Sequence, residues 1–249
     1  MPDIAAVPIP AATLVVMRER VGAAPDLLMV ERSAAMRFAG GAMVFPGGRI
    51  DPGDHALAAM LDGPRDEAAA RIAAIRETIE EAGLAIGLRE PIDIAAARRA
   101  LYAGTPPGDV LTPDMLDLDA LVSFARWLPP LDARHRVFDT RFYLARCPAD
   151  APPPTVDGNE NSRLIWTSAA RALADADAGR TRIIFPTRRN LERLAQFGSF
   201  ADAAADARAH PVETITPRQE LRDGEPHLCI PQGRGYPVTS EPIGSAERA

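Results

Sequence analysis

The sequence predicts an α/β fold with a mixed sheet and helical insertions, on three observations. Two short apolar runs near the start are separated by a turn, one long helix-forming segment carries apolar residues at spacings of three and four, and a later run alternates in the β manner. Ala12 to Met17 (A-T-L-V-V-M) and Asp26 to Glu31 (D-L-L-M-V-E) are the first two strands, joined across Gly22 to Pro25. Met43 to Phe45 is a third, ended by Pro46-Gly47-Gly48. Asp66 to Ala82 is the long helix, with Ile72, Ile75 and Ile79 on one face and Gly83 as its C′ stop. Ile92 to Trp127 reads as helical in two pieces broken at Thr105 to Gly108, and Val137 to Arg146 alternates around Phe138, Phe142 and Leu144. Leu164 to Trp166 is strand-like and Ser168 to Ala178 helical. Pro186 to Phe197 forms another helix behind Thr187 as N-cap, and Ser199 with Asp202 resembles a capping box for one more. The proline- and glycine-rich tail from Pro211 reads as extended or loose. With no internal repeat and no long linker, one domain over residues 1–249 is expected.

Composition narrows the function. The 249 residues are 47% hydrophobic and 25% charged, with a net charge of −6 and no basic block, so a nucleic-acid partner held by phosphate neutralisation is not expected. No run reaches the roughly eighteen apolar residues of a membrane span, no membrane partner is expected, and the cytoplasm is the expected compartment. Cys147 and Cys229 stand far apart with no C-x-x-C spacing, which points to neither a disulfide framework nor a zinc site. All 28 basic residues are arginine, so lysine nucleophiles and Schiff bases are excluded.

The chemistry concentrates in Arg76 to Leu84, R-E-T-I-E-E-A-G-L. At about 100° per residue Glu77, Glu80 and Glu81 share one side of the helix. Like charges at such spacings repel unless something cationic sits among them, and hard oxygen ligands suit Mg²⁺ or Mn²⁺. A solvated acidic face with Arg76 partly neutralising Glu80 is the bland alternative.

Together with the preceding glycine turn this segment resembles the box of the Nudix family, G-x5-E-x7-R-E-U-x-E-E-x-G-U, where U is apolar. Arg76, Glu77, Glu80, Glu81, Gly83 and Leu84 match its second half, with Thr78 in a position usually apolar. Gly48 would open it, but Gly48 and Arg76 lie 28 positions apart where the family has 14, so an insertion of about residues 51–65 is expected inside the box. Eight positions before Arg76 stands Ala68 instead of the family glutamate, with Glu67 one position off as a possible substitute. The resemblance implies an α/β/α sandwich and attack of water on a diphosphate with bound Mg²⁺ or Mn²⁺. It implies Glu77 and Glu81, then Glu80, as metal ligands, a carbonyl of Gly47 or Gly48 as a further ligand, and Arg76 orienting a glutamate. Glu160, in the loop D-G-N-E-N-S, is the expected additional ligand or base.

Upstream, Leu28 to Gly48 resembles the signature of the coenzyme A diphosphatases of that family, L-L-T-x-R-(S/A)-x3-R-x3-G-x3-F-P-G-G. Arg32, Ser33, Arg37, Gly41, Phe45, Pro46, Gly47 and Gly48 match in register, and Met29 and Val30 depart from it. Arginine presents a planar fork of donors to phosphate, so Arg32 and Arg37 beside a diphosphate site suit a substrate with a further 3′-phosphate. The expanded box, a helical insertion of about 91–130 and the Arg136 to Tyr143 run also resemble the longer peroxisomal-type coenzyme A proteins and their bacterial relatives. The chain ends S-A-E-R-A, without a peroxisomal tripeptide. The resemblance thus implies cleavage of coenzyme A or an acyl-coenzyme A to 3′,5′-ADP and (acyl-)4′-phosphopantetheine, in a chain with a homodimer as the family analogy. Another nucleoside diphosphate linked to X, such as ADP-ribose or a dinucleotide, remains the alternative substrate. A nucleotide-sensing module that binds without turnover remains the alternative of another class.

Overall fold

The computed structural model describes residues 7–34, 39–130, 137–158 and 160–246. Strands β1 (Ile9–Arg20) and β2 (Ala23–Arg32) form the opening hairpin, followed by β3 (Met43–Val44) and β4 (Gly47–Arg49). Helices α1 (Pro52–Ala58), α2 (Arg65–Ala82), α3 (Ile94–Tyr102) and α4 (Pro107–Val110) come next, then β5 (Val122–Trp127), β6 (Phe138–Arg146) and β7 (Asn161–Ser168). Helices α5 (Ala169–Asp177), α6 (Phe185–Leu194) and α7 (Phe200–Ala209), strands β8 (Thr214–Ile215), β9 (Arg218–Arg222), β10 (Glu225–Cys229) and β11 (Ser240–Pro242), and helix α8 (Ile243–Ala246) complete the order. This is the mixed α/β architecture that the apolar patterning predicts.

Among the described residues the main sheet runs β3-β2-β1-β6-β5-β8, with β4 on β1 and β7 on β2. β1 lies parallel to β6 and antiparallel to β2. The hairpin partners meet only near the turn, from Met17 with Leu27 to Arg20 with Ala23. Further from the turn they separate, and residues 43–49 fill the gap, β3 pairing β2 and β4 pairing β1. That opening holds the site described below. Alternation along β1 divides two cores: Ala12, Leu14 and Val16 face α2, and Val15 and Met17 face α6 and α7.

Helix α2 is buried on almost every side, because the sheet, α1 and α3 all pack on it. Its alanines allow that close approach, and Ile72, Ile75 and Ile79 are fully buried. Gly83 ends it in the left-handed conformation, at φ 62°, its N–H donating to the Ile79 carbonyl. Thr78 fits its apolar site because its hydroxyl donates to the Ala74 carbonyl within the helix.

Three expectations change. Val122–Trp127 is a strand, not the end of a helical insertion, and a register shift between Ser123 and Ala125 interrupts its alternation. Helix α6 starts at Phe185 behind Ile184, which places Thr187 inside the first turn, buried, and not at the N-cap. Ser199 does cap α7, accepting from the Asp202 N–H. The tail is not loose: β9, β10 and β11 form a small sheet whose first turn, Asp223-Gly224, has positive φ at both residues. Asp-Gly between two strand-length runs is a hairpin signal that the surrounding prolines and charges obscure.

Candidate active site

Helix α2 delivers its acidic residues to the mouth of the gap between β1 and β2. Glu81 is 4% exposed. Its carboxylate accepts from the Gly47 N–H at 2.9 Å and from Asn161 Nδ2 at 3.0 Å, which ties α2 to β4 and to β7. Glu77 accepts from Arg76 at 2.8 Å, and the same guanidinium nitrogen reaches Glu80 at 3.4 Å. The backbone of Gly48 lies so close to Glu77 that a Cβ there would run into the carboxylate, which explains a glycine at that position. The acidic face is therefore not a solvated one.

Burial is what sets the electrostatics. It pushes Glu77 up to about 8, with Glu81 and Glu80 adding and Arg76 opposing. Burial likewise raises Glu81 to about 7 against the bonds from Asn161 and Gly47 and the positive charge of Arg32, and it raises Glu80. Burial opposes the charge on Arg76, but its bonds to Asp54 and the field of Glu77, Asp54 and Glu80 outweigh that and hold it firmly protonated.

Asp54 is the residue that reading the sequence backward from Arg76 missed. It is fully buried and accepts from Arg76 Nε at 3.0 Å and from Arg76 Nη2 at 2.9 Å, while Arg76 also donates to the Arg49 carbonyl. Counting forward from Gly48, Asp54 stands where the box has its first acid, so the expansion lies after it, between Asp54 and Arg76. Glu67 does not substitute. It accepts from Arg71 and faces Ser123 and Arg141, away from Arg76.

A cavity of about 570 Å³ opens here. Its lining includes Glu77, Glu80, Glu81, Arg76, Gly47 and Gly48, together with Arg32, Glu160, Phe45 and Trp127. Of the remaining expected substrate contacts, Ser33 and Gly41 do not line it; Ser33 N–H instead donates to the Glu160 carbonyl, and Gly41 N–H to the Arg32 carbonyl. Arg37 lies outside the described residues. Asp157 and Asn161 also went unread in the sequence. Asp157 lines the cavity and accepts from the backbone N–H groups of Glu160 and Asn161, a local turn that presents Asn161 to Glu81. The Asp-Gly of the D-G-N-E-N loop was the available signal.

Among the described residues no three His, Cys, Asp or Glu side chains are gathered into a metal cage. A buried carboxylate, Glu81, and a partly buried one, Glu77, facing one cavity, with desolvation favouring their neutral forms, nevertheless fit a divalent cation. Mg²⁺ commonly takes one or two carboxylates and completes its shell with water and substrate phosphate. Glu77 and Glu81 are the residues placed for this, with Glu80 adjoining and engaged by Arg76.

The NUDIX domain model matches residues 8–187. The chain belongs to the Nudix hydrolase family. A Nudix hydrolase structure from Alicyclobacillus acidocaldarius superposes with a TM-score of 0.71 at 28% identity, covering 80% of this chain and 96% of that one. The chain is 28% identical over 177 residues to nudix hydrolase 7 of Caenorhabditis elegans, covering 68% of this chain and 56% of that protein. It is 24% identical over 244 residues to the acyl-coenzyme A diphosphatase NUDT19 of Gallus gallus, covering 71% and 63%. The chain thus spans under two thirds of the length of both curated relatives.

Proposed function

We propose that this Nudix protein is a Mg²⁺- or Mn²⁺-dependent diphosphatase of coenzyme A or acyl-coenzyme A, yielding 3′,5′-ADP and (acyl-)4′-phosphopantetheine. The observation that carries the reading is the placement of Arg32, in register with the coenzyme A signature, in the same cavity as Glu77 and Glu81. Its Nε is buried without a hydrogen-bond partner among the described residues, and its charge acts on Glu81. The 24% likeness to a protein named acyl-coenzyme A diphosphatase supports the same substrate class.

In this reading Glu77 and Glu81 hold the cation, which neutralises diphosphate oxygens and lowers the pKa of the attacking water. Arg76 fixes Glu77 from within a buried pair with Asp54. Glu160, exposed and lining the cavity, takes the proton from the water. One phosphorus–oxygen bond of the diphosphate breaks as the water oxygen adds to phosphorus. Arg32 reads a phosphate through charge-assisted bonds, typically about 1.5 to 3 kcal/mol each.

The test is kcat/KM for coenzyme A, dephospho-coenzyme A, ADP-ribose and a dinucleoside polyphosphate, with wild type and Arg32→Ala. Wild type should prefer coenzyme A, and Arg32→Ala should lower coenzyme A use roughly ten- to a hundredfold while dephospho-coenzyme A changes little. Equal rates on the first two substrates, or a parallel loss of both, would move the assignment to the broader class of nucleoside diphosphates linked to X.

A further inference from the structure

We infer, on the diphosphatase reading above, that the arm of the cavity between Gly48 and Trp127 seats the non-nucleotide side of the substrate, an extended amide-bearing chain ending in an acyl group, while the phosphorylated nucleoside lies on the opposite side, toward Arg32. The sheet topology sets the two directions. Arg32 ends β2, on one side of the gap that β3 and β4 fill, and pairs with Asn161 of β7. On the other side β4, β1, β6 and β5 follow in order, and Arg49, Ala11, Thr140 and Trp127 are paired across them in one row. Three strand spacings of about 4.8 Å put Trp127 roughly 14 Å across the sheet from the β4 backbone. The acidic residues of α2 stand between these two directions.

The wall of the arm selects between the two halves of the substrate. Strand alternation turns Ala11 and Thr13 of β1 and Thr140 and Phe142 of β6 toward it, and Phe45, Phe138, Ile184 and Pro186 enclose it. Trp127 closes the far end, and its indole N–H already donates to Asn190 Oδ1 at 3.3 Å and to the Tyr236 hydroxyl at 3.2 Å. At 2% exposed it borders the cavity with only a part of its apolar ring, and it offers no free donor. Among the described residues, the polar side chains along the arm beyond β4 are the hydroxyls of Thr13, Thr140 and Thr187. Arg49 of β4 is the cation at the arm's entrance; beyond it, among the described residues, a 3′-phosphate would find no cation, and an adenine would leave ring nitrogens and its amine poorly matched. A chain of methylenes with occasional amides suits such a wall, since isolated hydroxyls can meet the amides while the rest of the surface stays apolar.

The experiment uses the two product halves, which contain no diphosphate to cleave, in the presence of Mg²⁺. Tryptophan emission is followed in the Trp166→Phe variant, so that Trp127 is the only reporter; Trp166 does not line the cavity. Octanoyl-4′-phosphopantetheine should change the emission saturably and bind at least tenfold tighter than 4′-phosphopantetheine, and 3′,5′-ADP should leave it unchanged. Thr140→Phe, which fills the arm, should weaken octanoyl-4′-phosphopantetheine at least tenfold by calorimetry. If Trp166→Phe does not fold, the wild-type titration serves, with Trp166 as a constant background. An emission change with 3′,5′-ADP and none with the acylated half, or unchanged affinity in Thr140→Phe, overturns the inference. Failure of the underlying reading is seen separately, as absence of coenzyme A hydrolysis; an enzyme that cleaves coenzyme A while Trp127 answers to 3′,5′-ADP overturns the orientation alone.

Discussion

Asp54 and Arg76 form the most deeply buried charged pair in the site, an acid with no exposed surface holding an arginine that is 5% exposed. Such a pair gains little over apolar packing, but breaking it from one side strands a buried charge, at about 3 to 5 kcal/mol. Asp54→Ala should therefore lower stability by about that amount in urea unfolding, with an unchanged m-value. Activity should also fall, because Arg76 would no longer be fixed while it donates to Glu77. A loss below about 1 kcal/mol would mean that Glu77 and Glu80, 2.8 and 3.4 Å from the same guanidinium, compensate its charge without Asp54. Box glycines act at the same scale: a Cβ at Gly48 would displace the Glu77 carboxylate from its bond with Arg76, a reason invisible until α2 and β4 are brought together.

Helix α6 shows what one element can carry. Its buried Arg189 pairs with Glu192 and with Glu241 of β11, fastening the small C-terminal sheet, and its Asn190 meets Tyr236 and Trp127. Burial raises Glu192 to about 7 against Arg189 and Arg188, with Glu241 and Asp177 adding to the rise. A carboxyl whose folded pKa lies above its unfolded value of about 4.5 contributes its full stability below that value. That contribution is lost as pH rises through about 7. Glu192→Gln cannot ionise, so its Tm relative to wild type should climb between pH 5 and pH 8, by about 2 °C or more. A difference that stays flat over this range would show that Glu192 ionisation is not linked to folding. The periodicity of α6 is legible in the sequence, but its N-terminus is not, because the capping residue is an isoleucine and the expected Thr187 is buried in the first turn.

For the molecule as a whole, a cation bound only by the folded state must stabilise it by linkage. At a hundred times its Kd, Mn²⁺ should add about 2.7 kcal/mol, or roughly 5 to 10 °C in Tm for a chain of this size. Glu77→Gln and Glu81→Gln should each lose most of that gain and at least a hundredfold in turnover. In EDTA Glu77→Gln should melt no lower than wild type, since a neutral amide removes a carboxylate that desolvation disfavours. Full Mn²⁺ stabilisation in both variants would falsify the ligand assignment.

The sequence by itself determined the long helix, the opening hairpin, β6 and the second half of the box, because each is written in contiguous residues whose period or spacing is local. It also determined which helix face carries Glu77, Glu80 and Glu81, since about 100° per residue leaves no freedom. Only the tertiary structure decided that Asp54 holds Arg76 across an insertion, that Asn161 and Gly47 fix Glu81, and that Trp127 ends a cavity arm on a strand the sequence reads as helix. These contacts join residues 22 to 80 positions apart, or depend on a register shift within β5. The spacing from Gly48 marks Asp54 as an acid of the box, but no local pattern encodes which partner each residue meets, because what selects the partner is the burial of charge that folding itself creates.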